Sequence, residues 1–188
     1  MSIKSREEII ITVASSQEEK TNAIIFIETN MRKSFGCEPP PTTGVIFTAR
    51  LSGEIVGSIV LQGTEKNVPF PVENYYEFNP PNSTLSFSRA RTVQGSRWLA
   101  IRPNVSFELL RTSASLACEF GKQSMLIEAK PYSVKRLTEL GIHCRKIPNA
   151  NLQQEKVRIV VGESGMRYFT ELPLPTLYVI DLKQVLSI

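Results

Sequence analysis

The chain has 188 residues, 41% hydrophobic and 21% charged, which suits one globular domain with a real core and excludes a disordered or fibrous polymer. A formal net charge of +4 and a pI near 9.0 fall short of the bias of a DNA-binding domain, so no nucleic-acid partner is expected. The mild positive excess is compatible with an indifferent surface, or with an anionic partner such as a phosphorylated cofactor or an acidic carrier protein.

Residues 9–13 (IIITV) are short, β-branched and apolar, and predict a buried strand. Ser16 and Glu19 have the spacing of a capping box, and Ala23, Ile24, Ile27, Met31 and Phe35 recur at helical spacing until Gly36 and Pro39–Pro41 end the helix. Residues 45–51 and 54–62 predict two strands around a Ser52-Gly53 hairpin turn. The Pro- and Asn-rich stretch 63–83 reads as a long loop, a kind of segment that often carries function. Residues 85–93 predict a strand, with 98–101 continuing it or pairing with it. A helix over about 106–120 follows, with Gly121 suited to its end, then a buried strand at 125–129 and a short helix closed by Gly141. Residues 157–161 and 177–182 predict the last two strands, separated by a loop at 162–175. Strands and helices alternating in this way argue for an α/β fold on a mixed sheet.

Cys37, Cys118 and Cys144 are widely spaced without a C-x-x-C, and His143 is the only histidine, so neither a disulfide framework nor a metal is expected. No apolar run approaches the roughly 18 residues of a membrane span, and the first ten residues lack a signal-peptide core. The expected location is therefore the cytoplasm.

The segment 124–142, SMLIEAKPYSVKRLTELGI, resembles the passage of GCN5-related N-acetyltransferases (GNATs) in which a strand ends in an Ala-x-Pro-like turn and a helix ends in Leu-Gly-Phe. Leu51–Ser58 is similar to the central hairpin of that superfamily, with its G-x-x-V-G pattern. Met31–Phe35 (MRKSF) resembles the Leu-Arg-x-x-Phe element of acyl-homoserine-lactone (autoinducer) synthases and N-acyl amino acid synthases. Pro69–Glu73 (PFPVE) and Ser86–Val93 (SFSRARTV) are similar to the proline segment and the Glu-x-Ser-Arg-Phe-x-Val strand of the same enzymes. Together these cover roughly residues 8–145. The chain departs from the pattern in three places. Ser86 stands where the strand carboxylate would be, Arg102–Ser106 replaces the glycine-rich pyrophosphate loop, and Leu137 aligns with the tyrosine that protonates the leaving thiolate.

The resemblance implies one GNAT-like acyltransferase domain over 1–188: an α/β fold whose mixed central sheet carries helices on both faces, splayed between the 85–93 and 125–129 strands. It implies transfer of an acyl group from acyl-CoA or an acyl carrier protein to the amine of a small acceptor. On that reading Ser88 donates to the developing oxyanion and Arg89 holds the acceptor carboxylate as a fork, with the amine deprotonated by water or a backbone carbonyl at the splay. The donor lies along Arg91 and Val93, with Arg97, Arg102, Asn104 and Ser106 near its phosphates at a helix N-terminus. Arg32 folds under the long loop, and Phe70, Tyr75 and Tyr76 wall an acyl pocket, either tyrosine replacing the missing acid. Each residue also has a purely structural reading. Arg89 and Arg91 can pair with glutamates, Asn104 and Ser106 can cap a helix, and the loop aromatics can anchor the loop. A catalytically silent domain that binds a carrier protein, a ligand or a protein partner is the alternative function.

Overall fold

The computed structural model describes residues 8–36, 39–64, 69–78 and 88–188. Strand β1 (Ile10–Val13) leads into helix α1 (Gln17–Phe35). The capping box forms: the Glu19 amide donates to Ser16 Oγ at 3.1 Å, and Glu19 Oε2 accepts from the Ser16 amide at 2.9 Å. Gly36 ends α1 in the left-handed region (φ 69°) and returns its amide to the Arg32 carbonyl. Strands β2 (Val45–Leu51) and β3 (Glu54–Gln62) make the hairpin. A 3-10 turn at Pro71–Asn74 precedes β4 (Tyr76–Phe78), and another at Arg89–Arg91 precedes β5 (Thr92–Ala100). Then come α2 (Val105–Glu119), β6 (Ser124–Ala129), α3 (Pro131–Glu139), β7 (Arg145–Lys146) and β8 (Ala150–Leu152). Helix α4 (Gln154–Thr170), β9 (Thr176–Asp181) and α5 (Leu182–Leu186) complete the order.

Among the described residues seven strands form one sheet in the order β1-β2-β3-β5-β6-β9-β7, and β4 pairs with β8 in a separate ribbon. Every neighbouring pair in the large sheet is antiparallel except β5 and β6, so the sheet is mixed as expected. Period-two alternation sends neighbouring side chains to opposite faces. Ile59, Leu61, Met125 and Ile180 pack under α2 and α5 with Leu109, Leu110 and Val185. On the opposite face Val60 and Ile46 meet Ala23 and Ile27 of α1, while Leu126, Leu177 and Val179 meet Val157, Met166 and Phe169 of α4. Helices thus cover both faces, each fully buried aliphatic side chain contributing roughly 1.5–3 kcal/mol. Gly57 lets α2 close on β3, since a Cβ there would sit 2.5 Å from Val105 Cγ1.

Several expectations are corrected. The 85–93 strand begins only at Thr92: residues 85–87 lie outside the described residues, and Ser88–Arg91 is a turn in which the Arg91 amide reaches the Ser88 carbonyl at 2.9 Å. That turn is held by Lys122, whose Nζ donates to the Gly63 carbonyl at 2.9 Å and the Arg89 carbonyl at 3.4 Å. Strand alternation therefore does not govern Ser88, Arg89 and Arg91, and residues 98–101 continue the strand as far as Ala100. The 157–161 strand and the 162–175 loop are mostly helix α4, interrupted at Gly162 (φ 68°, ψ 175°). The β-branched run Val157–Val161 mimics a strand, but Val157, Met166 and Phe169 bury one side of a helix against the sheet, and that packing wins. Strand β1 lies at the sheet edge with Ile10 and Val13 exposed, not buried as predicted. The 63–83 loop contributes β4 to the small ribbon, and α5 was not foreseen.

Candidate active site

Strands β5 and β6 pair in parallel only from Thr92–Gly95 against Ser124–Ile127. Beyond that they part. Ser96 stays with β3, opposite Val60, while Glu128 and Ala129 stay with β9, opposite Leu177 and Thr176. The splay thus opens after Gly95 and Ile127, further along the chain than the 85–93 strand implied. Its cause is visible in the register. Between Ser58↔Leu99 and Val60↔Ser96, β5 uses one residue more than β3, and Arg97 takes φ 47°. This bulge bends β5 away, leaving peptide groups that face a gap rather than a strand.

A cavity of about 240 Å³ occupies that gap. Its walls are mostly apolar, with Met31 and Phe35 from α1, Trp98 and Leu99 from β5, and Val160 and Val161 from α4. Among the described residues one carboxylate enters it. Glu128 follows Ile127 on β6 and lines the cavity, yet its Oε2 is buried without a hydrogen-bond partner. Burial pushes its carboxyl up to about 7, against the pull of the Tyr75 and Tyr76 hydroxyls. Those phenols, and Tyr168 on α4, are held above their ordinary range, first by burial and then by the Glu128 charge. Tyr75 stacks at 5.4 Å from Tyr76 and edge-on at 5.6 Å to Phe169, and Tyr168 meets Phe169 at 5.0 Å and Phe35 at 5.2 Å. Arg97 lies across the gap. Its Nη2 donates to the Pro40 carbonyl at 2.8 Å, its Nε is buried without a partner, and burial lowers its pKa.

Of the residues singled out from sequence, Arg97 and Tyr75 line this cavity. Tyr76 packs behind Tyr75 and donates to the Pro175 carbonyl at 3.3 Å. Phe70 is buried against Gly63, where a Cβ would meet its ring at 2.2 Å, and Val93 is buried in the α2 core. Arg32 is in the last turn of α1, next to Met31 of the cavity wall. Arg89 forks onto Glu73, with Nε to Oε1 at 2.9 Å and Nη2 bonded to Oε2, and Glu73 Oε1 also accepts the Phe70 amide at 2.8 Å. Arg102 and Asn104 are exposed in the turn before α2, and Asn104 (φ 66°) caps that helix without a side-chain hydrogen bond. Ser106 accepts Trp98 Nε1 at its carbonyl at 3.0 Å. Ser88 and Arg91 line a second, polar depression of about 580 Å³ with His143, Asp181 and Gln184. The sequence candidates are therefore divided between separate places.

Sequence reasoning passed over Glu128, Tyr168 and Tyr132. A glutamate inside the apolar run Met125–Ala129 was the signal for the first, because a charge in a central strand needs a partner or a purpose. Tyr168 fell in a stretch read as loop. Among the described residues, no group of three His, Cys, Asp or Glu is placed to hold a metal, and no helix is long and apolar enough to cross a membrane.

The fold of this chain is shared with solved structures. TofI, seen in a ternary complex with an inhibitor and MTA, superposes with a TM-score of 0.65 at 14% identity, covering 96% of this chain and 95% of that one. The chain has the GNAT fold. FeeM, an N-acyl amino acid synthase from uncultured soil microbes, gives a TM-score of 0.59 at 10% identity over 97% of this chain and 95% of its own. BjaI, a CoA-dependent acyl-homoserine lactone synthase seen with SAM and isopentyl-CoA, gives 0.57 at 14% identity over 97% and 87%. The GNAT-like fold that the motifs implied is thus the fold shared with these synthases. No protein-family model matches the chain, and no curated protein sequence does either.

Proposed function

We propose that this chain is a cytoplasmic N-acyltransferase that moves an acyl group from an acyl-CoA or acyl-carrier-protein thioester to the amine of a small molecule, in the cavity between β5 and β6. The observation that carries the proposal is the parting of these strands after Gly95 and Ile127 over a largely apolar cavity. Unpaired peptide groups at such a gap can hold a thioester carbonyl in line with a nucleophile, and apolar walls suit an acyl chain. The end of α2 supports a donor phosphate: Asn104 leaves the first amides of the helix without a side-chain cap, and Arg102 stands two residues away. Tyr75 lines the cavity and is available to protonate the leaving thiolate in place of the tyrosine that Leu137 supplants.

BjaI is seen with an acyl-CoA and FeeM is an N-acyl amino acid synthase, which supports an acyl thioester as donor and an N-acyl compound as product. The test is mass spectrometry of lipid extracts from cells overproducing the protein, with purified protein incubated in parallel with acyl-CoA and acyl-carrier-protein donors of several lengths and a panel of amines. A new N-acyl product in both arms is the expected result. Binding of a donor without any product would instead support the silent-domain reading.

A further inference from the structure

The pattern of Ser86–Val93 lacks the carboxylate expected at Ser86, and an acyl transfer to an amine needs a group that takes the ammonium proton. The opposite side of the gap supplies one. We propose that Glu128 is a catalytic base of this chain, that it receives the acceptor's ammonium group inside a ring of tyrosines, and that it thereby selects an amine carrying no carboxylate beside its nitrogen. The proposal rests on the acyl-transfer reading above and goes beyond it in naming the base and the acceptor class.

Three observations converge. Glu128 sits on β6 where pairing with β5 has stopped, and alternation from Leu126 puts it on the face covered by α4, where it lines the cavity. Its Oε2 is buried with no hydrogen-bond partner, an arrangement that costs free energy unless a ligand completes it. The groups around it are suited to an organic cation. Tyr75 and Tyr76 approach from the turn and strand before the second part of the chain, Tyr168 from α4, and Tyr178 of β9 stands near Tyr76. Aromatic faces attract cations, and the phenol oxygens accept N–H donors.

The charged neighbours fit the same reading. Lys130 follows Ala129 directly, but its Nζ is bound to the Glu171 carbonyl at 3.0 Å and lies 5.1 Å from the Tyr168 ring. Arg97 faces the cavity from β5 with Nη2 on the Pro40 carbonyl, and its buried Nε is left to donate to an acceptor atom of the bound molecule. Tyr132 of α3 lines the outer wall near Tyr168. Among the described residues no lysine or arginine makes a salt bridge to Glu128, so the carboxylate is left for a cation from outside. An acceptor carboxylate beside the amine would meet Glu128 and be repelled at close range.

The step balances as follows. The Glu128 carboxylate takes one proton from R–NH3+, leaving a neutral amine. The amine lone pair attacks the thioester carbon, the C–N bond forms and the C–S bond breaks. The second proton lost by nitrogen goes to the departing thiolate, giving amide and thiol, and Glu128 later releases its proton to water.

The experiment uses the full chain and n-propylamine as probe. Calorimetric titration reads amine binding without any donor, at pH 6 and pH 8. Wild-type protein is expected to bind propylammonium at least tenfold more tightly at pH 8, where Glu128 is ionised, and Glu128→Gln should lose that gain without any fall in its Tm. Glycine, an amine with an adjacent carboxylate, should bind at least tenfold more weakly than propylamine. With octanoyl-CoA as donor, Glu128→Gln should slow amide formation about 10²–10⁴-fold and abolish the rise in rate through pH 7, with Glu128→Asp restoring part of it. Equal propylamine affinity in wild type and Glu128→Gln, or an unchanged pH profile, overturns the proposal even where amide is formed. Propylamine binding that depends on Glu128, with no amide from any donor, upholds the amine site and counts instead against the acyl-transfer reading.

Discussion

The two ends of the β5–β6 pair differ in what their polar groups do. At the paired end, Thr92 Oγ1 and Ser124 Oγ share a hydrogen bond of 2.8 Å, Gln184 binds the His143 amide at 3.0 Å and the Gly141 carbonyl at 2.8 Å, and Asp181 accepts the Lys183 amide at 2.8 Å. At the parted end, among the described residues, two of the three buried side-chain polar atoms that lack a partner are found, Arg97 Nε and Glu128 Oε2. Both ends have a cavity, and the more polar one is at the paired end. The lesson is that polarity by itself does not mark a site. Polar groups that satisfy one another are structure, whereas those kept dry and unsatisfied are held for something else.

The sharpest way to break this comparison is to block each end in turn. Val161→Trp narrows the parted cavity and should cut amide formation about 100-fold by displacing the acyl chain, while Ser88→Ala at the paired end should change it less than about twofold. A 100-fold loss in Ser88→Ala with Val161→Trp unaffected would move the site to the other end.

The second effect is on stability. The Glu128 carboxyl titrates near its ordinary 4.5 in the unfolded chain and about 7 when folded, so the folded state holds its proton more tightly. As pH rises from 4.5 to 7 the unfolded chain sheds its proton first and the fold loses stability. Above 7 the full penalty, on the order of 3 kcal/mol, is present. Glu128→Gln should therefore be the more stable protein at pH 8 and lack this slope, as read by urea denaturation at several pH values. A variant less stable than wild type at pH 8 would make Glu128 a structural member of the tyrosine cluster.

A smaller effect tests whether Arg89 belongs to structure or to chemistry. Glu73 holds both Arg89 and the Phe70 amide, so Glu73→Gln should cost about 1 kcal/mol and a few degrees of Tm, and Arg89→Lys should cost less. Neither should alter the acceptor KM. A raised KM in Arg89→Lys with Tm intact would restore Arg89 to the acceptor site. The smallest effect concerns the N-terminus of α1. The Ser15 and Ser16 amides hold the Glu19 carboxyl down at about 2, so its contribution is present above 4.5 and disappears as pH falls toward 2. Thermal melts of Glu19→Gln should differ slightly from wild type at pH 7 and converge with it near pH 2.

Much of this molecule was legible in the sequence because the relevant forces are local. The Ser16–Glu19 box, the Ser52-Gly53 hairpin and the apolar spacing of α2 each specify an element from residues within a few positions of one another. The order of elements implied a mixed sheet, and the motifs at 51–58 and 124–142 together implied the fold. What only the tertiary structure decided depends on partners distant in the chain. Residues 157–161 are helical because the far side of the sheet offers Leu126 and Leu177 to pack against. Arg89 is an ion-pair member because the fold brings it to Glu73, and the strand pattern around Ser88 could not reveal the turn held by Lys122. The place where β5 leaves β6 is set by one extra residue at Arg97, counted against β3 rather than against its own neighbours. Glu128 shows the same limit: its place in an apolar strand was written in the chain, but its unsatisfied oxygen exists only because two strands diverge around it.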